Sequence, residues 1–270
     1  DLSGSRRLML FHQPFINRAA ERFPDADILL GKPMPVAAAR NFYHQFSGGS
    51  FDPRRQLRWL LDTPQRVSQY DELARALGQD MQICIELDVG LHRGGVRSDE
   101  QLVTMLDMIS QSPRLNFCGF MGYEPHIVKM PVGDPKTYRD RAVAVYQHYI
   151  DVARARLGQE WPEDVLLNAG GSPTYQLYDS GDYPFNELSA GSCLVKPSDF
   201  DLPTLADHIS ASYIAAPVLK AMDHPHFTIL AHPSGRLIEE RDPFDLDMAR
   251  VIRHARDRGC YLELNAHPER

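Results

Sequence analysis

The sequence has little of what marks a secreted, membrane-spanning or nucleic-acid-binding protein. Its 270 residues include four cysteines, none at Cys-x-x-Cys spacing, so we expect reduced, buried thiols and no disulfide scaffold. No apolar run is long enough to span a membrane, and no signal segment is recognisable. A net charge of −7 gives no support for binding nucleic acid through a basic surface. We therefore expect a cytoplasmic protein with no nucleic-acid or membrane partner.

The sequence does contain a regular alternation of strand-like and helical segments. It is 43% hydrophobic and 24% charged, as in globular proteins, and its length is ordinary for one α/β barrel. The strand-like runs occupy residues 7–12, 27–32, 57–62, 82–90, 116–123, 164–171, 187–195, 227–235 and 260–267. Helical patterns between them predict a parallel sheet with crossovers. The number of units favours a (β/α)8 TIM-like barrel, with an open sheet as the alternative.

Local signals also place boundaries along the chain. Residues typical of helix starts or ends are Thr63, Ser98, Gly78 and Gly259. We expect a single barrel over residues 1–270, made of the segments 1–222 and 223–270. The stretch 200–222 has two prolines and no clear period, and a strand–helix–strand piece follows it. The sequence therefore predicts a seam near Met222.

The segment "ELDVGLHRGGV" suits a phosphorylated aromatic cofactor. Its three glycines let the backbone approach a ligand closely. Arg93 can stack on a ring or donate hydrogen bonds to it, and Asp88 is placed to hold that arginine. On spacing alone, a strand end followed by a solvent loop with a surface ion pair is the alternative interpretation.

Two glycine-rich strand ends are candidates for binding phosphate. In "LLNAGGSPTY", backbone N–H groups and the hydroxyls of Ser172 and Thr174 follow a strand. In "ELSAGSCLVKP", Gly191 and Ser192 offer the same groups. Tyr123, at the end of "FCGFMGY", is a candidate to support a ring or to act as an acid or base. Tight turns and a packing tyrosine are the alternative interpretations.

Together these segments resemble the D-serine dehydratase-like and D-threonine aldolase-like enzymes, which use pyridoxal phosphate on an alanine-racemase-type barrel. The matching segments are "MLFHQPF", "DILLGKPMPVAAARNFY", "LLDTPQRVSQY", "IELDVGLHRGGV", "FMGYEPHIVKM", "LNAGGSPTYQLY" and "NELSAGSCLVKPSDFDLPTLADH". They run in order over about residues 5–221. The resemblance implies pyridoxal phosphate as the cofactor, with Arg93 and Tyr123 flanking its ring. The residues it implies for the phosphate cup are Gly170, Gly171, Ser172, Gly191 and Ser192.

One departure from that family concerns its essential lysine. In the family, the Schiff-base lysine lies at the end of the first barrel strand, which would precede "SGSRRLMLFHQPF". We expect that strand to be missing here, together with the family's second, β-rich domain, as if both chain ends were cut from something longer. Lys32 lies at a strand end but belongs by register to a later strand. Because the lysine also moves the Cα proton, we expect cofactor binding to survive and turnover to be impaired.

Residues 224–270 resemble a different family. They are similar to the PHP family of metal-dependent phosphoesterases, especially the PHP domain attached to family X DNA polymerases. The matching segments are "ILAHPSGRL", "DPFDLDM" and "YLELNAHPER". The resemblance implies that His232 is one ligand of a multi-metal cluster, which makes a divalent metal a second candidate cofactor. The family's other ligands are not found, because "HPH" precedes the strand instead of following a first one, and a lone histidine does not make a polynuclear site.

The sequence thus predicts a hybrid, in which a PHP-type strand–helix–strand segment closes a pyridoxal-phosphate barrel, as in a recombined or designed protein. Three functions are open at this point. They are a lyase or dehydratase of the D-serine/D-threonine class, a metal-dependent phosphoesterase, and a barrel scaffold without catalytic activity. The expected partner is a small phosphate-bearing or amino-acid ligand, and the oligomeric state is open.

Overall fold

The computed structural model describes residues 5–128, 133–178, 183–191, 222–223, 229–230 and 248–262. The chain divides into two compact units, Asp1–Ser189 and Ala190–Arg270. The expected single barrel and its seam near Met222 stay predictions. None of the helices in the described part of the chain is long and apolar enough to cross a membrane.

The first unit is built on a seven-stranded parallel sheet. Its strands are β1 (Arg7–Leu10), β2 (Asp27–Leu30), β3 (Leu57–Leu61), β4 (Met81–Leu87), β5 (Leu115–Gly122), β6 (Leu166–Ala169) and β7 (Glu187–Leu188). Their order in space equals their order in the chain, and every neighbouring pair is parallel. This is the strand arrangement of a TIM-like barrel, so the predicted α/β class is confirmed.

Helices connect the strands, as the periodicity predicts. They are α1 (Gln13–Arg22), α2 (Val36–Gln45), α3 (Pro53–Gln56), α4 (Pro64–Leu77), α5 (Asp99–Gln111) and α6 (Pro135–Leu157), with short 3-10 helices at Pro125–Val128, Gly158–Glu160 and Tyr175–Tyr178. Thr63 and Ser98 cap α4 and α5, since their side chains accept from backbone N–H groups three residues on. Gly78 ends α4 with φ +63°, a left-handed conformation that favours glycine. These predicted boundaries are confirmed.

The sheet curves until its first and last strands meet through side chains. Arg7 Nη1 donates to Glu187 Oε2 over 2.9 Å, and the other oxygen of Glu187 accepts from Asn168 Nδ2 over 2.7 Å. Arg58 and Asp27, on β3 and β2, form a second ion pair between strands. Charged side chains therefore help to join the strands that form the sheet.

Apolar side chains fill the space between the sheet and its helices. Trp59 on β3 is fully buried and packs against Phe42 and Tyr43 of α2 and Tyr70 of α4. Its indole N–H donates to the Tyr43 hydroxyl over 3.1 Å, so the polar edge of the ring is satisfied inside the core. This packing fixes the strands from which the functional side chains project.

Two of the cysteines belong to this core. Cys84 on β4 and Cys118 on β5 are buried, as small apolar residues would be. Burial raises the pKa of the Cys118 thiol to about 12 and that of Cys84 well above its ordinary value. Cys260 is partly exposed, and Cys193 lies outside the described residues. The predicted burial is confirmed for the first two.

The second unit contains a small parallel motif of its own. Strand β8 (Ile229–Leu230), helix α7 (Met248–Arg258) and strand β9 (Tyr261–Leu262) follow in this order, and β8 pairs with β9 in parallel. Gly259 ends α7 with φ +68°. The strand–helix–strand piece predicted near the C-terminus is therefore present, although its described strands are shorter than the predicted runs.

Candidate functional site

The loop after β4 folds back onto the strand it leaves. Val96 N donates to Glu86 O over 2.8 Å, and Asp88 N donates to Val96 O over 3.1 Å. Gly95 has φ +92°, and a Cβ at this position would lie 2.6 Å from Asp88 N. Only glycine fits such a close backbone approach, so the second half of "ELDVGLHRGGV" is built to close this loop.

Closure of the loop places Arg93 across the ends of three strands. Its Nη2 donates to Glu86 Oε1 over 2.6 Å and reaches Gly31 O at 3.4 Å. The same guanidinium lies over the Tyr123 ring, 4.9 Å from its centre. Burial raises the pKa of the Glu86 carboxyl, and the hydrogen bond and charge of Arg93 oppose this rise. Arg93 is thus held as a fixed planar cation beside an aromatic ring.

The expectation that Asp88 holds Arg93 is wrong. The Asp88 carboxylate instead accepts from His92 N and His92 Nδ1 at 2.9 Å each, from Arg97 Nε at 3.0 Å and from Gly90 N at 3.2 Å. Burial disfavours the Asp88 charge, but these hydrogen bonds together outweigh burial and lower its pKa. Asp88 therefore shapes the loop, and Glu86, two residues earlier on the strand, is the partner of Arg93.

Tyr123 and Gly171 meet at the ends of β5 and β6. A Cβ at Gly171 would lie 2.5 Å from Tyr123 Cε2, so the ring occupies the space that a side chain would need. Gly170 has φ +75°, and Ser172 is buried. Thr174 N and Tyr175 N both donate to Gly171 O over 2.9 Å, which closes a tight turn. We call residues 170–174 the glycine turn.

The structure thus brings together several of the predicted site residues and leaves others untested. Arg93 contacts Tyr123, and Tyr123 contacts the glycine turn. Gly191 is exposed and belongs to the second unit, whereas Ser192 and His232 lie outside the described residues. Lys32 is exposed after β2. No cluster of three or more potential metal ligands occurs within the described ranges, so the divalent metal stays a prediction.

Sequence reasoning missed a buried carboxyl directly after Tyr123. Glu124 is 2% exposed, and the Thr174 hydroxyl donates to its Oε1 over 2.9 Å. Burial raises the Glu124 pKa to about 7, against the hydrogen bonds from Thr174, Tyr178 and the Gly170 backbone. An acidic residue that immediately follows an apolar strand was the available signal.

A second missed residue is His126. Its Nε2 would lie 2.9 Å from a Cβ at Gly90, and its buried Nδ1 has no hydrogen-bond partner within the described ranges. Burial lowers the His126 pKa, so the ring is neutral at pH 7. The strand ends therefore combine a fixed cation, an aromatic face, a neutral imidazole and a glycine turn, which suits a planar ligand that carries an anionic group.

Comparison with known proteins gives the following matches. Residues 37–199, more than half of the chain, match the family described as alanine racemase, N-terminal domain. A 3-hydroxy-D-aspartate aldolase from Paracoccus denitrificans (strain Pd 1222) is 27% identical over 141 residues, which is 52% of this chain and 35% of the relative. The DNA polymerase/3'-5' exonuclease PolX from Bacillus subtilis (strain 168) is 44% identical over 150 residues, 50% of this chain and 25% of the relative.

Solved structures share the fold at low sequence identity. A variant of D-threo-3-hydroxyaspartate dehydratase superposes with a TM-score of 0.61 at 14% identity, covering 77% of this chain and 52% of that one. The chain spans about a third of the aldolase, a quarter of the polymerase and half of the dehydratase.

Proposed function

Because the chain belongs to the alanine racemase N-terminal domain family, we propose that it forms the cofactor-holding part of a pyridoxal-phosphate lyase or dehydratase acting on D-3-hydroxy amino acids. The observation that carries the proposal is the contact chain from Arg93 through Tyr123 to Gly171 at three strand ends. The names of an aldolase relative and a dehydratase neighbour support the substrate class.

The residues at these strand ends fit such a cofactor. Gly170 and Gly171 form a tight turn beside the Tyr123 ring, and the buried Ser172 follows it. Glycine turns at the ends of strands are a common way to bind phosphate through backbone N–H groups. Arg93 and Tyr123 would hold the ring, and the part that the sequence assigns to Gly191 and Ser192 stays a prediction. When bound, pyridoxal phosphate supplies an electron sink for the substrate's Cα.

The protein's own contribution is to bind and orient. Glu86 fixes the Arg93 guanidinium against Tyr123, so the cation keeps one orientation and needs no rearrangement when a ring docks. The neutral His126 adds a hydrogen-bonding group without adding charge. These groups select a flat ligand with an anionic arm.

The test is titration with pyridoxal phosphate, followed by borohydride reduction and peptide mapping. The chain has only five lysines, at positions 32, 129, 136, 196 and 220, so each peptide can be assigned. Because the family's Schiff-base lysine is expected to be missing, the proposal requires a lysine at a new position, and stoichiometric labelling of one lysine would support it. The Lys32 and Lys196 peptides are the first to inspect. Lys136 is exposed at the start of α6 and gives the background level for a surface lysine.

Labelling of no lysine above the Lys136 level would overturn the enzyme proposal. An Arg114→Ala variant is the matched control for binding, because Arg114 pairs with Asp80 at the opposite ends of the strands. The metal-dependent phosphoesterase, the hybrid origin and the impaired turnover stay predictions, since His232 and most of the C-terminal segment lie outside the described residues.

A further inference from the structure

The glycine turn is anchored to a buried carboxyl that the proposed cofactor chemistry does not use. Glu124 leaves the end of β5 and accepts from the Thr174 hydroxyl over 2.9 Å. The backbone N–H of Gly170 and the phenol of Tyr178 are its other hydrogen-bonding neighbours. One side chain therefore contacts both ends of the turn and the short helix that follows it.

The turn is also closed by hydrogen bonds of its own. The Thr174 hydroxyl also lies 3.4 Å from Gly171 O, and Thr174 N donates to the same carbonyl over 2.9 Å. Gly170 has the positive φ of +75° that the turn requires. The hydrogen bonds that Glu124 accepts hold this turn to the end of β5, in addition to the bonds that close it internally.

The groups around Glu124 do not neutralise its charge. Two tyrosines lie near Glu124, Tyr146 on α6 and Tyr178 in the short helix after the turn. Burial raises the pKa of both phenols far above physiological pH, so they stay neutral. Arg139 of α6 donates instead to Leu177 O over 2.8 Å and pairs with Asp140. His126, two residues after Glu124 in the chain, is also neutral. Within the described residues, no cation pairs with Glu124.

We propose that Glu124 is a positioning residue whose protonation is coupled to occupancy of the glycine turn by a phosphate dianion. This inference rests on the proposed function for the identity of the ligand. A dianion on the turn and an ionised carboxylate behind it repel each other in a poorly solvated site. The neutral acid removes the repulsion, and its carbonyl oxygen still accepts from Thr174 and Gly170. Binding therefore draws a proton onto Glu124.

Linkage gives the size of the effect. With a pKa of about 7 in the free protein, Glu124 is mostly protonated at pH 6 and mostly ionised at pH 8. If the dianion binds only beside the neutral acid, affinity falls about tenfold between pH 6 and pH 8. Glu124→Gln keeps similar hydrogen-bond positions without a titrating charge, so its affinity lacks this fall.

The experiment compares dissociation constants for pyridoxal 5′-phosphate between wild type and Glu124→Gln from pH 6 to pH 8. The ratio of the two constants cancels the titration of the ligand's own phosphate and of other groups. Pyridoxal, which has no phosphate, is the matched ligand, and its ratio should stay flat. In parallel, carbon-13 NMR follows the Glu124 carboxyl of the wild type with and without inorganic phosphate.

The outcomes distinguish the proposed coupling from the proposed function. An approximately tenfold rise of the wild-type-to-variant ratio with pH, and an upward shift of the Glu124 titration by phosphate, support the coupling. A flat ratio with intact binding of pyridoxal phosphate overturns the coupling and leaves the proposed function standing. No binding of pyridoxal phosphate, with a phosphate-induced shift at Glu124, overturns the proposed function and leaves the coupling standing. A Glu124 titration that phosphate does not move overturns the coupling even if the variant fails to fold.

Discussion

Replacing Gly119 by alanine is expected to lower the free energy of unfolding by about 4 kcal/mol, combining overpacking with a strained φ. Gly119 pairs with Leu166 across β5 and β6 and has φ +149°. A Cβ there would lie 1.8 Å from Leu166 O, which belongs to the backbone of the paired strand. The strands must separate, and Tyr123 and Gly171, which follow them, would move apart. Loss of stability and loss of the site should therefore occur together.

Gly78→Ala is the matched control for Gly119→Ala. Gly78 also has a positive φ, +63°, but a Cβ there would meet nothing within 4 Å. Gly78→Ala is therefore expected to lower the free energy of unfolding by about 1 kcal/mol, through backbone strain alone. Urea unfolding followed by circular dichroism compares the two. If Gly119→Ala loses no more stability than Gly78→Ala, the close approach of β6 does not exclude a side chain at position 119.

Replacing Arg93 by alanine is expected to weaken pyridoxal-phosphate binding about tenfold or more and to lower the free energy of unfolding by about 2 kcal/mol. Binding weakens because the cation beside Tyr123 is lost. Stability falls because Glu86, whose side chain is 5% exposed, loses its partner. The stability loss is below that of a fully buried pair, since the Arg93 side chain is 28% exposed.

The stability loss in Arg93→Ala has a defined pH dependence. The ordinary pKa of a glutamate is 4.5, burial raises that of Glu86, and removal of Arg93 raises it further. The folded variant then holds a proton that the unfolded chain releases, so its stability falls as pH rises above 4.5. Below 4.5 both states are protonated, and the part of the deficit that comes from the unpaired Glu86 charge disappears. Unfolding curves at pH 4, 6 and 8 measure this.

The double variant Arg93→Ala with Glu86→Gln separates the two roles of the arginine. A neutral amide tolerates the missing partner, so stability should return to within about 1 kcal/mol of wild type. Affinity for pyridoxal phosphate should stay low. If affinity recovers together with stability, Arg93 acts only on the loop and does not contact the ligand.

Features that depend on neighbouring residues could be predicted from the sequence. The parallel sheet followed from alternating apolar runs, and Thr63, Ser98, Gly78 and Gly259 marked helix ends because capping is a property of a few consecutive residues. Strand β1 ends at Leu10, two residues before the predicted end, since Pro14 lies in the first turn of α1 and His12 is already its N-cap.

Features that depend on folded geometry could not be predicted. Glu86 lies on β4 and Asp88 directly follows the strand, two residues later, so their spacing gave no preference between them as the partner of Arg93. The loop that folds back at Gly95 places Arg93 beside Glu86, and the sequence alone does not specify the path of this loop. Glu124 could not be predicted because its contact with the glycine turn joins residues 50 positions apart in the chain.

The two buried thiols can report how often the central strands of the sheet open. Alkylation needs an exposed thiolate. Burial makes the Cys84 and Cys118 thiols inaccessible and raises their pKa, so they stay protonated. They react only in molecules whose central strands have come apart, so their labelling rate counts those events. The thiols lie on β4 and β5, and Arg93 and Tyr123 follow the ends of these strands. The labelling rate therefore also measures how often the candidate site is disrupted.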